Sequence, residues 1–317
     1  MHDGPDEDSP TGNSGPIQIS PTEPSTGSKS NCCKTAKVAN QRHAGWYFGV
    51  GSNQGSWDLG VVASFGHLIP KRIINIFPMG MLNVHASLLP RWRGAAPIMH
   101  AIMNGDADTG ITIMRIKPLH FDVGDIVMQE TIPIKPDVMA VELTNQLAEI
   151  GADLLSRCMS NLEHNLNSCI QQPTEGVTLA PKVTSEMSNI NWKNMSASQL
   201  FNLWRATQHL FKLQTTFHGQ IVKLDGMEPV TENTVIDSEK QTIGKILVDR
   251  ARGLLLVRCQ SDWAGFRHIT LNRRPVMTPL DFANGYLKKR TDDQHYFTYV
   301  PFFEEKEKYL SKRIGHD

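Results

Sequence analysis

Asn83-Val84-His85-Ala86-Ser87-Leu88-Leu89-Pro90-Arg91-Trp92-Arg93 sets a side-chain amide and an imidazole two residues apart, then runs into a proline-containing turn with two arginines. Residues at i and i+2 of an extended strand project from one face. Asn83 and His85 are therefore expected together at a strand end, where open α/β sheets carry their catalytic groups. An amide can hydrogen-bond a developing oxyanion, and an imidazole exchanges a proton near neutral pH. Further along, His120-Phe121-Asp122-Val123-Gly124-Asp125 offers a carboxylate on a glycine-containing loop. Asp122 is expected to reach back to His85, fix its tautomer and favour its charged form. An Asn-x-His pair alone is more often a satisfied polar pair, so the distal carboxylate carries the argument.

The surrounding pattern is that of an α/β protein. Leu59 to Phe65 is an apolar run of strand length, as in a parallel strand buried on both faces. A helical segment is expected around Lys71–Phe77, and another over Ala95–Met103, closed by Gly105. Ile111–Ile116 and Ile126–Thr131 read as β-branched strands around the Asp122 loop. Val141 to Leu162 carries apolar residues at 143, 147, 150, 154, 155 and 158, a helical stripe that packs on a sheet. Pro173, Gly176 and Pro181 break the next stretch into a linker. Ser196 and Gln199 form a capping box for a helix with Leu200, Leu203 and Trp204 on its apolar face. Short strands follow, around Gln220–Leu224, Gly244–Val248, Leu254–Cys259 and Phe266–Leu271, the texture of a small antiparallel barrel.

Composition narrows the class. The 317 residues suit two domains, and a 40% hydrophobic fraction supplies a core for each. Net charge is zero, but residues 200–317 hold 18 Lys/Arg against 14 Asp/Glu, a mildly basic half able to meet a polyanion. The five cysteines, Cys32, Cys33, Cys158, Cys169 and Cys259, form neither a CxxC pair nor a disulfide framework, so a reducing compartment and no metal site are expected. No apolar stretch approaches the ~18 residues of a membrane span. Residues 1–56, rich in Pro, Gly, Ser, Asn and Thr, read as disordered, with Trp46–Gly51 the one strand-like fragment before Asp58. Their acids and lack of arginine to residue 30 do not fit a mitochondrial presequence.

The stretch Asn83–Ile98, NVHASLLPRWRGAAPI, resembles the signature of the methionyl-tRNA formyltransferase family. The similarity continues through Gly105-Asp106, Thr109-Gly110-Ile111-Thr112-Ile113-Met114 and Phe121-Asp122-Val123-Gly124-Asp125. Upstream it includes Val61-Val62-Ala63-Ser64-Phe65-Gly66 and Leu68-Ile69-Pro70. It runs from about Trp57 to about Leu287 and is most similar to the vertebrate mitochondrial branch. Other formyl-folate enzymes, including glycinamide ribonucleotide transformylase and formyltetrahydrofolate dehydrogenase, share the Asn-x-His and the distal Asp. Arg91-Trp92-Arg93-Gly94 and the C-terminal half favour the tRNA enzymes.

The resemblance implies a formyltransferase-type, Rossmann-like parallel-sheet catalytic domain over residues 57–172. A linker over 173–195 and a small OB-like antiparallel β-barrel over 196–317 with a terminal helix near Glu304–Lys312 would follow. Ahead of Asp58 the first β-α-β unit of the family is missing, so the catalytic domain is expected to be N-terminally incomplete, less stable and less active. The implied reaction moves a formyl group from 10-formyltetrahydrofolate, a co-substrate, to the α-amine of methionyl initiator tRNA, with Asn83, His85 and Asp122 catalytic and no metal. Ser87, Leu88, Leu89 and Pro90, with Phe65, Gly66, Leu68 and Ile69 opposite, would hold the folate. Arg91 and Arg93, with Lys223, Arg258, Arg267, Arg273 and Arg274 on the barrel, would meet tRNA. The implied setting is the mitochondrial matrix, with no membrane partner and a monomer if complete. Two alternatives stay open: a catalytically impaired formyltransferase that retains tRNA binding, and another 10-formyltetrahydrofolate-dependent formyltransferase or hydrolase.

Overall fold

The computed structural model describes residues 34–39 and 46–51 as backbone, and residues 57–65, 67–230, 242–272 and 274–299 in full. Two sheets organise these residues. The first has six strands in the order β1 to β6: Lys34–Ala39 (β1), Trp46–Gly51 (β2), Leu59–Ala63 (β3), Met81–His85 (β4), Asp108–Arg115 (β5) and Ile126–Pro133 (β6). The sheet is mixed. Strands β3 and β4 form its parallel pair, with Val62 opposite Asn83, and the other neighbours run antiparallel. The crossover that a parallel pair requires contains the short helix α1, Lys71–Ile74.

One expectation is corrected. Within the stretch to residue 56 read as disordered, β1 and β2 pair with each other, and β2 pairs with β3 through Phe48 opposite Val61. A buried apolar strand such as β3 exposes main-chain donors and acceptors along its free side, and an aromatic, β-prone run can pair with them. The expected terminal helix near Glu304–Lys312 lies outside the described residues.

Helices cover the sheet as the apolar stripes require. Helix α2, Pro97–Met103, opens with proline at its first turn, where the missing N–H costs nothing. Helix α3, Ala140–Ser160, buries Leu143, Leu147, Leu154 and Cys158, four positions of its expected stripe. The helix α4, Leu162–Asn167, follows directly.

The second domain starts with α5, Ala197–Thr207, capped as expected: the Gln199 amide N–H donates to Ser196 Oγ, and the Ser196 N–H to Gln199 Oε1. Its five antiparallel strands are Leu213–Phe217 (β7), Gln220–Pro229 (β8), Ile246–Asp249 (β9), Leu254–Arg258 (β10) and Trp263–Leu271 (β11), in the order β7-β8-β11-β10-β9. The two outer strands meet a common segment. Thr298 exchanges two main-chain bonds with Thr216 of β7, while Phe297 N–H donates to Gly244 O and Ile246 N–H to His295 O on the β9 side. Through this segment each outer strand gains main-chain partners at one end. Inside lie Trp192, Phe217, Phe266, Phe282 and Phe297. Trp192, from the stretch expected to be linker, satisfies its indole N–H on Thr215 Oγ1 at 2.8 Å.

The domains are docked through α5 against α2 and α3. Arg205 is buried at this seam, and its guanidinium donates to Val138 O at 3.2 Å, Lys135 O at 3.3 Å and Asn202 Oδ1 at 3.0 Å. Burial pulls its pKa below the ordinary arginine value, against the opposing charge of Asp137. Removing the guanidinium strands two carbonyls. Arg205→Ala is expected to cost about 3 kcal/mol, read as a lower urea midpoint; a shift worth less than about 0.5 kcal/mol would show that docking does not rest on this residue.

Candidate active site

Asn83 and His85 sit at the C-terminal end of β4, and Asp122 lies on the loop between β5 and β6. The three meet as expected. Asn83 Nδ2 donates to Asp122 Oδ1 at 3.2 Å, and His85 Nδ1 lies 3.5 Å from the same oxygen. Asp122 Oδ2 accepts the Gly94 main-chain N–H at 2.9 Å. His85 is 6% exposed, and its Nε2 donates to the Trp92 carbonyl oxygen at 2.9 Å. A carbonyl can only accept, so this bond assigns the Nε2–H tautomer and leaves Nδ1 as the nitrogen facing Asp122. Asp125 is not part of the cluster; it pairs with Lys117 at 2.7 Å.

Two glycines let the chain approach this closely. Gly94 has φ of +128°, and a Cβ there would stand 2.6 Å from the Ala180 carbonyl oxygen. A Cβ at Gly124 would overlap the Arg115 carbonyl oxygen. Asp122 itself adopts φ of +53°, a left-handed conformation that aspartate tolerates better than most residues.

Two cavities flank the cluster. The larger, about 750 Å³, is lined by Asn83, His85, Asp122, the 93–99 segment, Thr144, Leu179 and Pro181. The smaller, about 40 Å³, is lined by Val62, Leu68, Ile69, Met114 and Lys117 among others. Phe65, Asn83, His120, Phe121 and Asp122 belong to both. Of the residues expected to hold folate, Phe65, Leu68 and Ile69 line these cavities, and Gly66 lies outside the described residues. Ser87, Leu88, Leu89 and Pro90 line neither. Ser87 and Leu89 are buried, and the loop is tied down by Thr112 and Gln129: Thr112 Oγ1 donates to Ser87 O at 2.6 Å and accepts from Leu89 N–H at 3.1 Å.

The arginines expected to meet tRNA are largely engaged within the protein. Arg91 forks onto Asp106, with Nε and Nη2 at 2.7 and 2.6 Å from its two oxygens. Arg93 forks onto Gln172 Oε1 at 3.0 and 2.7 Å. Arg258, expected on the same face, is only 8% exposed on the wholly buried strand β10 and donates to Asp262 O. Arg267 is exposed but paired with Glu228. Lys223 and Arg274 are exposed, and Arg273 lies outside the described residues.

Sequence reading missed Gln172 and His120. Gln172 is 6% exposed, and its amide N–H₂ donates to Asp122 O at 2.8 Å and Gly124 O at 2.7 Å while its oxygen receives Arg93. Burial pushes the Cys259 thiol up to about 12, which marks it as a core residue rather than a nucleophile. Among the described residues, no three of His, Cys, Asp and Glu cluster as a metal requires. No helix among them is long and apolar enough to cross a membrane.

This fold and site define a formyltransferase. The formyl transferase family model matches residues 33–159, and that of the formyl transferase C-terminal domain matches 182–287. These matches begin ahead of residues 57 and 196, where the two domains were expected to start. The mitochondrial methionyl-tRNA formyltransferase of Bos taurus is 42% identical over 271 residues, covering 84% of this chain and 68% of the bovine protein. That of Homo sapiens is 40% identical over 270 residues, with the same coverage. The chain belongs to the methionyl-tRNA formyltransferase family. HypX from Aquifex aeolicus, solved with tetrahydrofolic acid, shares the fold at 17% identity and a TM-score of 0.52, over 73% of this chain and 39% of that one.

Replacing Gln172 by leucine leaves two buried carbonyls and the Arg93 fork without their partner. The variant is expected to lose about 1–3 kcal/mol of stability, and the loop carrying Asp122 should exchange its amide hydrogens faster. Unchanged exchange at Val123 and Gly124 would remove Gln172 from the support of the site.

Proposed function

We propose that this chain transfers a formyl group from 10-formyltetrahydrofolate to the α-amine of methionyl-tRNA. The observation that carries the mechanism is the convergence of Asn83, His85 and Asp122 between two cavities. The larger cavity has the volume and the mixture of apolar wall and few polar groups suited to a folate-sized ligand. The amine adds to the formyl carbon to give a tetrahedral intermediate; the bond from that carbon to folate N10 then breaks as a proton passes from the amine to N10, leaving the formylated amine and tetrahydrofolate.

The tetrahedral oxyanion needs donors at the reacting carbon. Asn83 Nδ2 carries two hydrogens, and its bond to Asp122 uses one. His85 commits Nε2 to Trp92 O, so Nδ1, beside Asp122, is the nitrogen that exchanges the amine's proton. Asp122 faces that nitrogen and accepts its N–H once Nδ1 has taken the proton, and Gly94 N–H holds Asp122. We place the reaction in the mitochondrial matrix and its acceptor as the initiator tRNA; the mitochondrial names of the bovine and human relatives support the first.

The direct experiment is formylation of methionyl-tRNA by the purified chain with 10-formyltetrahydrofolate; no product at high enzyme concentration overturns the reading. His85→Ala should lower turnover about 10²–10⁴-fold, and a loss under tenfold would free His85 from the mechanism. Because Asp122 acts through His85, adding Asp122→Asn to that variant should cost little more, whereas multiplied losses would mean independent roles.

Of the second-domain residues expected to meet tRNA, Lys223 and Arg274 are exposed, and we take them as contacts for the tRNA backbone. Binding of tRNA to the intact chain should then weaken steeply with salt, and Lys223→Glu with Arg274→Glu should flatten that slope by roughly 0.7–0.9 for each phosphate no longer neutralised. A slope unchanged by both reversals would move the tRNA path elsewhere.

A further inference from the structure

The Gly105-Asp106 pair stands in the sequence with no role in the chemistry above, yet Asp106 gathers three donors. Arg91 Nε and Nη2 reach its two oxygens at 2.7 and 2.6 Å, and Trp92 Nε1 donates to Oδ2 at 2.7 Å. Arg91 also lies over the Trp92 ring, 4.3 Å from its centroid. Trp92 is an unusual residue to find here. It is bulky, buried and left-handed at φ of +62°, a backbone state that such a residue holds only under constraint. Its main-chain N–H is fixed on Thr178 Oγ1 at 2.8 Å, and its ring packs against His100. Burial pushes the His100 imidazole below its ordinary pKa, although its bond to Pro181 O opposes this.

The constrained backbone faces the site from both ends. The Trp92 carbonyl accepts His85 Nε2–H, and two residues on, the Gly94 N–H donates to Asp122 Oδ2. One short loop therefore holds the outer partner of both members of the His–Asp pair. We infer that Asp106 is a positioning residue for catalysis: by fixing the Trp92 indole and the Arg91 fork, it aims the Trp92 carbonyl that sets the His85 tautomer. This rests on the functional reading above, since it concerns the aim of the imidazole used there. It also gives Arg91 a task inside the enzyme rather than on the acceptor. A reacting group displaced by about 1 Å loses on the order of 10²-fold in rate, so such a support has a measurable effect although it touches no substrate.

The test pairs kinetics with the His85 ring signal, read by long-range ¹H–¹⁵N correlation and assigned with His85→Gln. In the unaltered chain the neutral ring should carry its proton on Nε2. Asp106→Asn sets an amide N–H₂ against the Arg91 fork, and Trp92→Phe keeps the ring but removes its donor. Each should give mixed His85 tautomers and a kcat lower by about 10–100-fold, with KM for both substrates within about twofold. Asp106→Glu, which keeps the charge and both acceptors, should recover most of the loss. Should the Asp106 variants fail to fold, Trp92→Phe alone decides. Normal kcat in that variant, or a kcat loss with the His85 signal unchanged, overturns the proposal. If the unaltered chain forms no formylated product, the functional reading falls, and the ring signal still decides whether Asp106 aims His85.

Discussion

The Asp122 carboxylate is the knot on which the site depends. One oxygen receives Asn83 and faces His85, and the other receives the Gly94 main chain. Three separate stretches, the end of β4, the 91–94 loop and the β5–β6 loop, are thereby brought to a single point. A carboxylate with little exposure is costly unless its lone pairs are met. Here donors from two of those stretches meet them, so the arrangement of the catalytic groups and the satisfaction of a buried charge are one and the same requirement. The left-handed backbone of Asp122 and the absent Cβ of Gly124 belong to the same close approach, since a Cβ at Gly124 would run into the Arg115 carbonyl oxygen.

How far this was legible in the sequence depends on the range of the interaction. The shared face of Asn83 and His85 follows from the two-residue period of a strand, a local property. The capping box at Ser196, the α3 stripe and the strands of the second sheet are likewise local patterns, and the structure carries them nearly unchanged. Asp122 was legible because a distinctive string surrounds it. Gln172 was not: its partners lie 48 and 50 residues away, and an amide in a proline-broken stretch has no periodicity to betray it. Trp46–Gly51 was visible as a strand-like fragment, but the strand at Lys34–Ala39 was masked by a composition dominated by polar and small residues on either side, so nothing in the sequence showed the two as a pair.

Arginine is the residue type hardest to assign from sequence, for a physical reason. A guanidinium beside an aromatic ring looks the same in sequence whether its fork meets a phosphate, a carboxylate or an amide oxygen. Arg91, Arg93 and Arg258 find Asp106, Gln172 and the Asp262 carbonyl, all within the protein. Each of these bonds ties a loop or turn to a neighbouring segment. A loop that carries function but lies outside regular strands has main-chain groups that the sheet does not bind, and planar multidentate side chains are the means of holding it.

That rigidity bears on how the two cavities can work together. Asn83 and Asp122 belong to the wall of each, so a ligand on either side meets the same amide and carboxylate. Direct transfer between two substrates requires that both reach one carbon while the donors stay still, because donors that must reorganise lose most of their electrostatic advantage. A side chain anchored on one face only would follow whichever ligand bound first. His85 is gripped at Nε2 by a backbone carbonyl and flanked at Nδ1 by a carboxylate that is itself held by backbone, so its position is set before either substrate arrives.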